Sequence, residues 1–231
     1  VFPGSNCDDD VVYVLRKILN QEVTKIWHKE TSLDAFSTND CIVVPGGFSY
    51  GDYLRAGAVA RFSPIMKAVI KFANLGGYVW GICNGFQVLC EAELLPGALL
   101  RNANQKFICK NTYIKAQTNQ AAITATLSQN KALKIPIAHA EGRYYANQAT
   151  LDRLVENDQI LFKYCDAQGQ ITEAANPNGS MMNIAGVCNA NRNVFGMMPH
   201  PERAADAILA NEDGRMLFES LLTMNRMEVG V

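Results

Sequence analysis

The sequence predicts an α/β protein: a single-domain three-layer sandwich with a mostly parallel central sheet, helices on both faces and an antiparallel extension at one edge. Two observations predict it. In the first half of the chain, short apolar runs alternate with stretches of helical spacing, the pattern of parallel strands joined by crossover helices. One of those runs, "CIVVPGG", is apolar almost throughout, as a strand covered on both faces should be.

The elements follow in order. "VFPGSN" reads as the end of a strand whose beginning is missing, and it has neither a Met nor a signal-peptide pattern. "DDDVVYVLRKILN" offers aspartates for a helix cap and first turn, then Val11, Val14, Leu15, Ile18 and Leu19 at helical spacing. "VTKIWH" and "CIVVPGG" read as strands. In "SPIMKAVIKFANLGG", Ser63 is placed to cap a helix, Pro64 to open it and Gly76 to stop it. "YVWGIC" reads as a strand and "NGFQVLCEAEL" as a helix. Beyond residue 105, "KFICKNTYIKAQ", "KIPIAH", "ENDQILFKYCD", "MNIAGVCN" and "NVFGMM" look extended, and are expected to add antiparallel hairpins to one edge. "ERAADAILANEDGRMLFESLLTM" closes the chain as a helix. With no repeat, low-complexity stretch or linker, residues 1–231 read as one domain.

Composition narrows the function. The 231 residues are 48% hydrophobic and 19% charged, with a net charge of −1. No Lys/Arg cluster is available to hold a polyphosphate backbone, which argues against nucleic acid. No run reaches the ~18 apolar residues a bilayer requires, so no membrane is expected. Seven cysteines, an odd number with no secreted framework, predict reduced thiols and a cytoplasmic location.

Cys83 carries the first chemical signal. It lies in G-x-C-x-G between Gly81 and Gly85, after an apolar strand and before a helix. A sharp strand-to-helix turn that presents a nucleophile has this pattern, and a helix start favours a thiolate. A tight turn that happens to contain a thiol has it too. Cys41, Cys90, Cys109, Cys165 and Cys188 lie in apolar runs and read as small core residues. Cys7 falls in the first turn, with little claim to a role near the site.

A thiol nucleophile needs a base, and His28, His139 and His200 are the histidines available. His28 ends a charged strand and reads as a surface residue. His200 stands in "MMPHPERA", where Pro201 biases it toward an extended backbone. Residues two apart then share a face, so Glu202 can receive one ring N–H. A rigid turn with a surface histidine is the competing reading. No C-x-x-C or H-x-x-x-H spacing occurs, so no metal is expected. A Walker-type phosphate loop is missing as well.

"VVPGG", "GICNGFQ" and "PHPE", in that order, resemble the class I glutamine amidotransferases. "FPGSNCD", "GGFSYGDYLRAGAVAR", "HAEGRY", "ANPNGS" and "NIAGVCNANRNVFGMMPHPERA" extend the likeness along nearly the whole chain, toward the branch of that family that serves de novo purine synthesis. The resemblance implies a flavodoxin-like sandwich forming one amidotransferase domain. It implies that Cys83 attacks the side-chain amide of L-glutamine to form a thioester. His200 would shuttle the proton, and Glu202 would orient His200. The backbone N–H groups of Gly47 and Asn84 would stabilise the oxyanion. Gln87, His139, Glu141 and Arg143 would border the glutamine pocket, although His139, Glu141 and Arg143 could instead serve docking. Tyr50, Asp52, Tyr53 and Arg55 would face a synthetase.

The expected partners are a large synthetase subunit, which would carry ATP and Mg²⁺, and a small bridging subunit. No cofactor is expected in this chain. The rivals are another amidotransferase of the same class, a cysteine hydrolase of esterase or peptidase type, and a non-catalytic α/β module.

Overall fold

A computed structural model describes residues 1–229, with side chains through Met224. In chain order the first half forms α1 (Asp8–Tyr13), β1 (Cys41–Val44), α2 (Pro64–Asn74), β2 (Tyr78–Ile82), α3 (Asn84–Glu91) and β3 (Ala98–Leu100). The second half forms β4 (Ile108–Ala116), β5 (Ala132–His139), β6 (Arg143–Tyr145), α4 (Gln148–Glu156), β7 (Ile160–Cys165), β8 (Ile184–Cys188), β9 (Val194–Met197) and α5 (Arg215–Val229). A seven-stranded sheet runs in the order β1-β2-β9-β8-β7-β4-β5, and β3 pairs with β6 apart from it.

The three layers follow from side-chain alternation along β2. Trp80 and Gly81 point to opposite faces. The Trp80 ring meets Phe218 of α5 at 4.8 Å between centroids. A Cβ on Gly81 would press against Gly85 and Leu89 of α3. Helices therefore cover both faces of the central strand. Gly196 of β9, the register partner of Gly81, clears the same face, where a Cβ would lie 2.1 Å from the Phe86 ring. Two glycines side by side let α3 settle directly on the sheet.

Parallel pairing is confined to β1–β2 and β2–β9, and the remaining pairs are antiparallel. The antiparallel extension is therefore larger than an edge ornament. It makes up most of the sheet, while the parallel strands carry the site.

Several local expectations are corrected. Cys7, not an aspartate, takes the cap position of α1, and Asp8, Asp9 and Asp10 fill the first turn. The helix then widens into a π turn over Val14–Ile18. "VTKIWH" forms no strand. Its backbone meets Val1, which donates to the Ile26 carbonyl at 2.8 Å and accepts from the His28 N–H at 3.0 Å, and the His28 carbonyl accepts from the Ile65 N–H at 3.3 Å. His28 is buried rather than exposed, with Nδ1 on the Tyr50 hydroxyl at 2.7 Å. β1 stands at the end of the sheet, so Cys41, Ile42 and Val43 are half-buried instead of fully covered. Cys109 points to solvent from β4.

The final helix starts at Arg215, not at Glu202. Between them, Asp206 folds back to accept from the Ile208 N–H, and Ala210 takes a left-handed φ of 52°. Asp213 is drawn off to Lys131 and the Lys134 N–H. These local bonds hold turns that the apolar spacing did not reveal. α4 was not anticipated. Its signals are the Asn147 side chain, which caps the Thr150 N–H, and Leu151 and Leu154, which it buries.

Candidate active site

Cys83 ends β2 in a conformation rare for a residue with a side chain, φ 52° and ψ −106°. Its N–H donates to the Met197 carbonyl of β9 at 2.8 Å, and its carbonyl accepts from the Gln87 N–H at 3.2 Å. The sheet and α3 thus hold the strained turn from both sides. Gly85 makes it possible, because a Cβ there would lie 1.9 Å from the Val44 carbonyl oxygen. The Cys83 sulfur is nearly buried and stands 3.7 Å from the Ala138 carbonyl of β5.

His200 arrives from the end of β9. Its N–H donates to the Pro136 carbonyl of β5 at 2.9 Å. Its Nδ1–H donates to Glu202 Oε1 at 2.7 Å, and both side chains are buried. The expected pairing therefore exists, with a corrected cause. Pro201–Arg203 form a 3₁₀ turn, so the turn and not strand alternation brings Glu202 beneath the ring. Pro201 suits the first position of such a turn because it has no N–H to lose there.

The electrostatics tie the chain's distant parts together. Burial works to lower the His200 pKa, but the negative charge of Cys83 and of Glu202 outweighs it and holds the imidazole well above its usual value. Both the Cys83 and the Cys7 sulfur lie close enough to interact with the ring. His200 Nε2 forms no aligned hydrogen bond in this state. Loose catalytic hydrogen bonds of this kind are common before substrate arrives.

Around this pair the other expected residues divide. Asn84 opens α3, where its own N–H is one of the donors a first helical turn leaves unpaired. Its side chain accepts from the Ser49 N–H at 3.1 Å and donates to Gln87 Oε1 at 2.9 Å. Gln87 is buried and donates onward to the Glu141 carbonyl. The Glu141 carboxylate accepts from the Ala56 N–H at 3.1 Å. Gly47 has a φ of 142°, and its bridge to Ser5 is made by the flanking bonds from Asn6 and Phe48, which leave the Gly47 N–H outside it. Gly46 beside it touches both the His200 ring and Cys7, since a Cβ there would lie 2.9 Å from His200 Cε1 and 3.1 Å from the Cys7 sulfur.

His139 is buried, with Nδ1 on Asn102 Oδ1 at 3.1 Å. That oxygen also accepts from the Gly142 N–H, so it is an acceptor and Nδ1 carries the proton. Burial, then the neighbouring His200, pushes its pKa down to about 4, which keeps the ring neutral. Arg143 lies in β6 with a buried, unpartnered Nε.

The loop after β1 separates into two parts. Tyr50 is half-buried, with its hydroxyl on His28 Nδ1 and on Ser63 Oγ, each at 2.7 Å. Asp52 accepts from Asn84 Nδ2 at 3.3 Å, and burial, then Glu141, raises its pKa to about 6. Tyr53 and Leu54 are exposed, at 73% and 82%. Arg55 is exposed and holds Glu91 with two bonds of 2.6 Å.

Three contacts escaped the sequence reading, the Pro136 and Ala138 carbonyls and the Asn102 side chain, while Cys7, given little claim there, lies beside the His200 ring. Asn102 is one of three amides in "LLRNANQ", so nothing in the sequence singled it out. A cleft of about 200 Å³ beside β1, lined by Phe2, Val11, Leu15, Ile42 and Val69, includes none of these residues and is not the site.

A sequence model of the CobB/CobQ-like glutamine amidotransferase domain matches residues 1–220. The chain belongs to the class I glutamine amidotransferases. This amidotransferase is 56% identical over 222 residues to the phosphoribosylformylglycinamidine synthase subunit PurQ of Moorella thermoacetica, covering 96% of this chain and 93% of that one. It is 53% identical, with the same coverage, to the PurQ subunit of Salinibacter ruber. Among solved structures, the amidotransferase superposes on a chain of PurLQS from Thermotoga maritima with a TM-score of 0.83 and 40% identity, over 97% of this chain and 95% of that one.

Proposed function

We propose that this amidotransferase is the glutaminase subunit of a phosphoribosylformylglycinamidine synthase, in the position of PurQ beside PurL and PurS. It releases ammonia from L-glutamine and delivers it to an ATP-dependent synthetase, which converts an amide to an amidine in de novo purine synthesis. ATP and Mg²⁺ belong to the synthetase partner, and the chain itself needs no cofactor. A cytoplasmic location suits its seven free cysteines.

One observation carries the chemistry: Cys83 on a strained turn shares its surroundings with a buried His200 whose protonated form is favoured by that sulfur and by Glu202. The Cys83 sulfur attacks the δ carbon of glutamine. The amide oxygen becomes an oxyanion, facing the N–H groups of Gly47 and Asn84. Each such donor is worth about 3 kcal/mol to the transition state. His200 then gives its proton to the departing nitrogen, which leaves as ammonia with a γ-glutamyl thioester behind. Water attacks the thioester, His200 takes its proton, and glutamate and the Cys83 thiol are restored. Gln87 and Glu141 shape the pocket beside Asn84, while His139 stays neutral at its wall.

The test is glutamate release from L-glutamine by the chain, alone and with its synthetase. Cys83→Ser and His200→Ala should abolish it, and the synthetase should raise it. Turnover by Cys83→Ser at the wild-type rate ends the proposal. Hydrolysis of esters or peptides with no action on glutamine favours the hydrolase reading instead.

A further inference from the structure

Cys7 has no place in the steps above, yet it lies at their centre. Its sulfur, one His200 ring nitrogen and one Glu202 carboxylate oxygen lie within 4.8 Å of one another, and all three side chains are buried. Two polar atoms there, His200 Nε2 and Glu202 Oε2, are buried without a hydrogen-bond partner. Buried polar atoms are seldom left unpaired, and each asks for an explanation.

Thiolate, imidazole and carboxylate together are the donor set of zinc, not of magnesium or calcium, which prefer oxygen alone. We infer that Cys7, His200 and Glu202 form a site for a soft divalent cation of the zinc class, and that the bound ion withdraws His200 from catalysis. The inhibitory half of this inference rests on the role given to His200 above. The Cys83 sulfur, also beside the ring, or a water can supply a fourth ligand. Two anionic ligands balance the charge of the ion, and the thiol and ring protons leave to solvent.

One group competes. Arg203 Nη2 donates to the Cys7 sulfur at 3.1 Å, while its Nε holds Asp10 at 3.1 Å. The Arg203 side chain is about one-third exposed, so Nη2 can turn to water when the ion enters. The cluster leaves no spacing motif because Cys7 comes from the start of the chain and the other two ligands from near its end.

The experiment titrates Co²⁺, a visible stand-in for Zn²⁺, into the full chain carrying Cys83→Ala, which removes the nucleophile. One ion per chain with a sulfur-to-cobalt charge-transfer band is expected. Adding Cys7→Ala, or Cys7→Ser as the milder variant, should remove the band and weaken binding at least about tenfold. Unchanged affinity in both variants, or binding without the band, overturns the site. In parallel, Zn²⁺ is titrated into the Cys83-intact chain with its synthetase during glutamine turnover. Inhibition reversed by a chelator, and shifted at least tenfold to higher Zn²⁺ by Cys7→Ser, supports the inhibitory half. Cobalt binding with undiminished turnover overturns that half alone. Cobalt binding in a chain that never turns over glutamine leaves the site standing and ends the catalytic reading.

Discussion

The Nδ1–H of His200 donates to Glu202 at 2.7 Å with both side chains buried, in a turn held at its start by the Pro136 carbonyl. Glu202→Gln keeps the shape and removes the charge. One of the two anions that raise the His200 pKa is then lost, so the pKa falls. The imidazolium should disappear at lower pH than in the parent. The high-pH limb of the glutaminase profile should move down, and kcat should drop by about 10²-fold or more. An unchanged profile would show that Glu202 does not act on His200.

Gly85 packs its backbone on Val44, where an added Cβ would meet the carbonyl oxygen at 1.9 Å. The contact is backbone on backbone, so no side chain can swing away. Gly85→Ala should cost about 2 kcal/mol or more in denaturant unfolding and misplace Cys83. Parent-like stability together with parent-like alkylation of Cys83 would contradict the packing described.

Asp52 has its pKa raised to about 6 by burial and by Glu141. The sign follows from linkage. Protonation is easier folded than unfolded, so the folded state gains at low pH and loses that gain as pH rises through about 6. Asp52→Asn keeps an acceptor for Asn84 and removes the titration. The variant should be more stable than the parent at neutral pH, with the difference vanishing near pH 4, as read from denaturation midpoints across that range. A difference that grows on acidification would refute the assignment. Asp52 is partly open to water, which will keep the effect small.

Tyr53 and Leu54 expose most of their surface, and both stand beside Asp52 at the site's rim. Tyr53→Ala and Leu54→Ser should leave the unfolding free energy of the chain within about 0.5 kcal/mol. Binding of the synthetase subunit, measured by calorimetry, should weaken. Undiminished binding in the double variant would move the docking surface elsewhere.

Much of this site could be read directly from residues. Gln87 came with the family resemblance, whereas Cys83 between two glycines and His200 between two prolines are local patterns with a physical cause. The α2 boundaries at Pro64 and Gly76 were legible for the same reason. The Pro136 and Ala138 contacts were not, because a carbonyl carries no side-chain signature. Nor was Cys7, whose neighbour His200 is brought to it only by the closed fold. "VTKIWH" had strand chemistry but found no neighbouring strand, only isolated backbone bonds to Val1 and Ile65, and pairing is not a property of one segment. The stretch after Glu202 had helical spacing, yet Asp206, Ala210 and Asp213 spend their bonds on turns.

β5 ends the hydrogen-bonded order at the side opposite β1, yet its carbonyls touch both the Cys83 sulfur and the His200 backbone. The sheet must therefore curl until its last strand reaches the ends of β2 and β9. A single rim strand thus acts as a caliper across nucleophile and base. Whatever flexes that rim, by docking or by thermal bending, resets the gap between the two reacting groups at once.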